Sequence, residues 1–232
     1  MPRSITNANY RIPSTCIFCF SPRLPASVVN FAFILMAVSM TIVQAGDPVL
    51  RQAARSLSVS EIASAPIRRL IDSMKETMRG APGVGLAAPQ VGESLQLAVI
   101  EDRAEYTRDW TAQQLAERQR QPVEFHVIIN PRLTLLEGGR LEFFEGCLSL
   151  TGLMALVPRA PRVRVECLDE QGKARVIEAA GWYARILQHE VDHLQGTVYV
   201  DRMYQRTLTT VENYREHWRM KSLAEVKAAL QA

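Results

Sequence analysis

The sequence predicts an α+β fold, and three observations carry that expectation. Strand-like segments gather in the middle of the chain, a single apolar helical segment follows them around residues 182–194, and no regular β-α alternation links them as a doubly wound sheet requires. The 232 residues suffice for one well-packed domain with a spare segment, or for two small domains. A composition of 47% hydrophobic and 22% charged residues is ordinary for a globular protein, and a net charge of +3 is too slight to argue for nucleic-acid binding. There is no internal repeat.

The first 46 residues stand apart. Their only charges are Arg3, Arg11 and Arg23, the first acidic residue is Asp47, and 28–43 is almost wholly apolar. We take this stretch as an over-extended start, with the true one at Met36 or Met40. The other readings are an organelle transit peptide and a membrane anchor or signal segment, with Val43-Gln44-Ala45 a weak match to a cleavage site. Residues 1–41 are accordingly placed outside the fold. The four cysteines, Cys16, Cys19, Cys147 and Cys167, lack the density of a disulfide scaffold, and Cys16-x-x-Cys19 has no second pair, so we read it as coincidence in a reduced compartment.

The folded part opens at the turn Gly46-Asp47-Pro48. Ile62, Ile67, Leu70, Ile71, Met74 and Met78 recur at helical spacing between Ser60, a candidate N-cap, and Gly80; Pro66 implies that the helix proper begins near it. Leu95 to Ile100 reads as a strand. Residues 101–122, polar and without an apolar stripe, read as a solvated excursion with a short exposed helix at Thr111 to Arg120. Phe125 to Asn130 and Val163 to Leu168 are strands, and Arg175 to Glu178 is a weaker one. Trp182 to Leu194 is a helix ending at Gly196. One or two amphipathic helices make up a tail, 206–232.

The chemistry lies in His189-Glu190-Val191-Asp192-His193. Residues four apart share a helix face, so both imidazoles can reach one metal ion, while Glu190 sits one position along, within reach of a bound water. Two of the chain's four histidines fall here, on a helix apolar on several sides; buried His and Glu need a partner such as a metal. Two histidines leave a catalytic site one ligand short. Glu212 or Glu216 from the tail could serve; so could Cys147 in Phe144-Glu145-Gly146-Cys147-Leu148-Ser149, although a lone cysteine is more often a core thiol. Gly146 would let the backbone approach a ligand or adopt positive φ. The run Gly83-Val84-Gly85-Leu86-Ala87-Ala88-Pro89-Gln90 has no phosphate-loop lysine. Its small residues suit a tight strand edge that a peptide backbone approaches, with Gln90 an uncharged amide donor.

In that order, G-V-G-L-A-A-P-Q, E-G-C-L-S and Q-H-E-V-D-H-L-Q-G resemble the three signature motifs of peptide deformylases, over residues 42–205. The Trp182-Tyr183-Ala184-Arg185-Ile186 lead-in and the excursion look more like the organellar type than the commonest bacterial form. The resemblance implies a catalytic domain of antiparallel sheets packed around the central H-E-x-x-H helix, with a metal held by Cys147, His189 and His193. Ferrous iron is expected there, with zinc, nickel or cobalt as substitutes. The implied activity removes the N-formyl group from the initiator methionine of nascent polypeptides. A metal-bound water attacks the formyl carbon, Glu190 acts as general acid and base, and Gln90 and the Leu148 N–H stabilise the oxyanion.

Val84, Leu148 and Ile186 would line the methionine pocket, and Gly85 and Gly146 would lie against the substrate. Asp192 is a candidate partner for an imidazole. The implied partners are formyl-methionyl nascent chains and the ribosome near its exit tunnel, with no direct nucleic-acid contact and no stable membrane association. The setting is a bacterial cytoplasm, or a mitochondrion or plastid if the leader is a transit peptide. Two rivals remain: a zinc peptidase using a late Glu ligand, and a closed zinc module in which Cys167 is the fourth ligand.

Overall fold

The computed structural model describes residues 39–231; Cys16, Cys19 and the leader up to residue 38 lie outside them. A 3-10 turn at Pro48–Arg51 leads to α1 (Val59–Ile62) and α2 (Ala65–Arg79). Next come β1 (Gly85–Ala87), β2 (Leu97–Asp102), α3 (Ala112–Arg118), β3 (Val123–Leu135), β4 (Leu141–Gly146), β5 (Leu153–Arg159), β6 (Arg162–Leu168), β7 (Ala174–Ala180) and α4 (Gly181–Leu194). The tail contributes β8 (Thr209–Thr210), α5 (Val211–Asn213) and α6 (Leu223–Leu230). The strands form two sheets, β1-β2-β3-β6-β7 and β4-β5-β8, and every pairing in them is antiparallel. The α+β expectation holds.

The larger sheet is covered on both faces, and the sequence of β2 explains how. Alternate residues of a strand point to opposite faces. Leu97 and Val99 pack with Ile67, Ile71, Met74 and Met78 of α2, together with Leu86, Val127 and Ile129. Ala98 and Ile100 pack instead with Ala184, Ile186, Leu187 and Val191 of α4. A strand buried on both sides reads as a continuous apolar run, as this one does. Each fully buried Leu or Ile contributes about 1.5–3 kcal/mol.

Local signals set the boundaries, with some departures from expectation. Ser60 is not the cap of the long helix. Ser58 forms a reciprocal capping box with Glu61 on α1, the chain breaks at Ala63 and Ser64, and α2 starts at Ala65 with Pro66 in its first turn. Strand β3 continues past Pro131 because a bulge absorbs the proline, which has no N–H to give a ladder. The register shifts between Ile129 and Arg132, and Asn130 takes a φ of 51°. Its side chain accepts from Leu57 N (2.9 Å) and donates to Leu57 O (2.7 Å). The sequence does not signal the β4–β5 hairpin: Glu142 and Glu145 interrupt the apolar character of β4, and Pro158 falls within β5.

Met40, placed in the leader by the sequence reading, packs against the α2-side core and donates its N–H to Thr77 Oγ1 at 2.8 Å. In the tail, β8 pairs with β5, Val226 is buried, and Lys227 pairs with Glu142 at 2.9 Å. No described helix is long and apolar enough to cross a membrane.

Replacing Asn130 by Ala strands both backbone groups of Leu57 and puts a side chain without local hydrogen bonds at positive φ. The expected loss is about 2–3 kcal/mol, read as a lower urea midpoint with an unchanged m-value.

Candidate metal centre

Three elements deliver the candidate ligands. Helix α4 carries His189 and His193 one turn apart, with ring centroids 5.0 Å from one another. Cys147 follows directly on β4, in the turn before β5. Its Sγ lies 3.2 Å from His193 Nε2, and the donor atoms of Cys147, His189 and His193 all fall within 4.8 Å of one another. Among the described residues this is the cluster of His, Cys and acidic groups able to hold an ion. Glu212 and Glu216 are exposed on the tail, and Cys167 is buried in the core on the α4 side of the larger sheet, so neither rival ligand set is assembled.

A further set of contacts orients the ligands from behind. His189 Nδ1 lies 3.0 Å from Glu145 Oε2, which turns Nε2 toward Cys147 and His193. Glu145 also accepts from Arg159 Nε and Nη2, each at 2.9 Å, and from Arg185 Nη1 at 2.6 Å. Arg185 further donates to Val157 O and Leu141 O. Burial alone would raise the Glu145 pKa, but the His189 and Arg159 hydrogen bonds hold it well below the usual carboxylate range. Asp192, the anticipated imidazole partner, instead accepts from Arg159 and Arg202. The available clues were a carboxylate two residues before Cys147 and an arginine four residues before His189 on an otherwise apolar helix.

Glu190 is 3% exposed, and its Oε2 has no hydrogen-bond partner. Burial pushes its carboxyl up to about 7. Burial holds the His193 imidazole well below its ordinary value, which favours the neutral form a metal requires. Opposite Glu190 stands Gly85 of β1. A Cβ there would lie 2.2 Å from Glu190 Oε1, so only glycine leaves room for this carboxylate.

Gln90, 2% exposed, accepts the Ala87 N–H through Oε1 at 2.8 Å. That contact settles the amide orientation and leaves Nε2 facing Cys147 Sγ and Ser149 Oγ, each at 3.4 Å. The Leu148 N–H has no acceptor among the described residues. Leu148 O accepts from Gln44 Nε2 at 3.0 Å, and the Leu148 side chain lies against Gly83. Val84 and Ile186 share the core cluster on the α4 side, whereas Leu148 packs against the α2-side cluster. Gly146 departs from one expectation: its φ is outside the left-handed region, and a Cβ would meet Leu153 O and Met154 only at ordinary contact distances.

One thiolate and two imidazoles suit a borderline divalent ion, and the unpartnered buried Glu190 oxygen beside them fits a site completed by a metal and water. Fold and site together define a candidate metal centre with a buried carboxylate beside it. The family model described as polypeptide deformylase matches residues 39–208. The chain belongs to that family.

Among curated relatives, it is 49% identical over 172 residues to "Peptide deformylase 1A, chloroplastic" of Solanum lycopersicum, an alignment covering 74% of this chain and 62% of that one. It is 41% identical over 210 residues to "Peptide deformylase 1" of Streptomyces coelicolor, covering 90% and 94%. Thus the chain spans less than two thirds of the plant protein but nearly all of the bacterial one. A solved structure of the class I type b peptide deformylase of Acinetobacter baumannii with Met-Ala-Ser bound is similar at a TM-score of 0.64 and 31% identity, covering 72% of this chain and all of that one.

Two outcomes follow from the geometry. Gly85→Ala should displace Glu190 and lower turnover at least about 10²-fold, with bound metal per chain unchanged by elemental analysis. Glu145→Gln should weaken zinc binding about 10–100-fold in a chelator competition.

Proposed function

We propose that this protein hydrolyses the N-formyl group from the formyl-methionine that begins nascent polypeptides, releasing formate. The observation carrying the proposal is the convergence of Cys147, His189 and His193 with a buried, unpartnered Glu190 and an oriented Gln90 amide. Ferrous iron is the proposed resident ion, with zinc, nickel and cobalt fitting the same donors. When bound, such an ion supplies Lewis acidity and lowers the pKa of a water toward neutrality.

The chain's own residues do the rest. Glu190, with a carboxyl near 7, takes a proton from the attacking water and passes it to the departing amine; a positioned group of this kind contributes about 10²–10⁴-fold. Gln90 Nε2 and the Leu148 N–H donate to the oxyanion, each worth about 2.7–4 kcal/mol. Glu145 holds His189 in the tautomer whose Nε2 is free to ligate.

The small residues of 83–90, with Ala87 and Ala88 fully buried, suit a tight wall beside a formyl group. Val84, Leu148 and Ile186 form the proposed methionine pocket, with Gly85 and Gly146 flanking the substrate backbone. The proposed catalytic domain is 42–205. The tail is assigned to packing on β4 and β5, which its contacts with Glu142 and β5 support, rather than to docking at the ribosome. The proposed setting is a bacterial cytoplasm; the chloroplastic relative keeps an organelle open as the alternative.

The test is formate release from formyl-Met-Ala-Ser by nickel- or iron-loaded protein. Wild type should release formate stoichiometrically and leave Met-Ala-Ser intact. Glu190→Gln should lose at least about 10²-fold in kcat while retaining the metal, and Gln90→Ala about 10²–10³-fold with little change in KM. Cleavage of internal peptide bonds without formate release would instead establish the peptidase.

A further inference from the structure

The excursion at 101–122 is not the solvated loop its composition suggests. Helix α3 does face solvent, yet both flanks of the segment are docked. Arg118 Cζ lies 4.9 Å from the Trp110 ring centroid and 4.8 Å from that of Phe143 on β4. Arg120 Cζ lies 4.9 Å from Trp110 and 5.1 Å from Trp182 on α4. Arg185 Cζ completes the circuit, 5.3 Å from Phe143 and 5.9 Å from Trp182. Three guanidinium groups and three aromatic rings thus alternate in a closed ring of contacts. A second observation ties the same segment to α4. Gly181, the first residue of that helix, has a φ of +59°, and a Cβ on it would meet Gln119 Cβ at 2.5 Å and Arg118 O at 2.7 Å.

Gathering three like charges costs energy. Burial lowers the pKa of both Arg118 and Arg185, and neighbouring arginine charges add to it. The ring faces offset this, since a desolvated cation is attracted to the negative face of an aromatic ring. Asp102 also offsets it, accepting two bonds from Arg120 at 2.8 Å each. Such an arrangement orients its members more narrowly than apolar packing would, because Arg118 and Arg120 are each held between Trp110 of the segment and a ring of the body. Those two body rings, Phe143 and Trp182, also hold Arg185. Arg185 is the member that leads onward: it donates to Glu145, whose other oxygen lies 3.0 Å from His189 Nδ1.

We infer that residues 101–122 are a positioning element for the metal centre, with Trp110 and Arg118 as positioning residues that set His189 through Arg185 and Glu145. This rests on reading Cys147, His189 and His193 as the metal ligands. The experiment uses the full chain loaded with cobalt(II), and reads the visible ligand-field spectrum, the rate of cobalt loss to excess chelator, and the melting temperature. Trp110→Ala should perturb the spectrum and speed cobalt loss about tenfold or more, and Trp110→Phe should restore both. Arg103→Ala, which breaks a cation–π contact with Tyr106 in the same segment but outside the ring, should change neither.

Arg118→Met keeps the packed stem without the charge, and should match Trp110→Ala should that variant fail to fold. Combining either variant with Glu145→Gln should add less than the sum of the separate effects, because both act on one path. A folded Trp110→Ala or Arg118→Met protein that holds cobalt as wild type does, or an additive double variant, would overturn the inference. Wild-type protein that takes up no cobalt would defeat the metal reading beneath it, an outcome distinct from both.

Discussion

A single buried carboxylate, that of Glu145, is the constraint on which the rest of the site depends. An unpaired carboxylate in the interior costs several kcal/mol in lost hydration, and the cost is offset only when its acceptor positions are filled. Here Arg159 of β5, Arg185 of α4 and His189 of α4 fill them. The smaller sheet and the helix beside the larger one are therefore locked together at one point. The geometry of His189 relative to Cys147, two residues after Glu145, follows from that lock. Breaking such a network by removing one partner costs about 3–5 kcal/mol, so fold stability and ligand geometry are coupled. Asp192 extends the pairing outward by taking the remaining donors of Arg159 and then Arg202 at the surface.

Around that anchor the chain places two kinds of group that chemistry needs and folding alone would avoid. Glu190 is buried with an unpartnered oxygen, and Gly85 is the residue whose missing side chain makes this possible. Gln90 spends its carbonyl on the Ala87 N–H and so holds its amide hydrogens toward Cys147. The strap 42–45 braces the same two walls: Val43 N donates to Gln90 O, Ala45 N to Ser149 O, and the Gln44 side chain to Leu148 O. The start of the fold, remote in sequence from the ligands, thus borders both proposed oxyanion donors.

Much of this was legible in the residues. The i, i+4 histidines on an apolar helix point to a buried metal-binding pair, and Leu95 to Ile100 reads as a strand. The α+β class followed from element order. What failed was of two kinds. Boundaries set by tertiary contacts escaped, as when Asn130 reaches Leu57 and carries β3 past a proline. Charged residues with interior partners read as surface: Glu142 and Glu145 masked β4, and Arg118 and Arg120 made a docked segment look solvated. Asp192, beside the histidines in sequence, is the imidazole partner the sequence suggests, whereas the hairpin that brings Glu145 there leaves no clear pattern in the residues.

The most direct measurement of the central claim is the tautomer of His189 in zinc-loaded protein labelled with ¹⁵N-histidine, from long-range proton–nitrogen correlations. Nδ1 should carry the proton shared with Glu145, and Nε2 should be bound to the metal. A His189 ligating through Nδ1, or one whose Nδ1 proton is unaffected by Glu145→Gln, would contradict it.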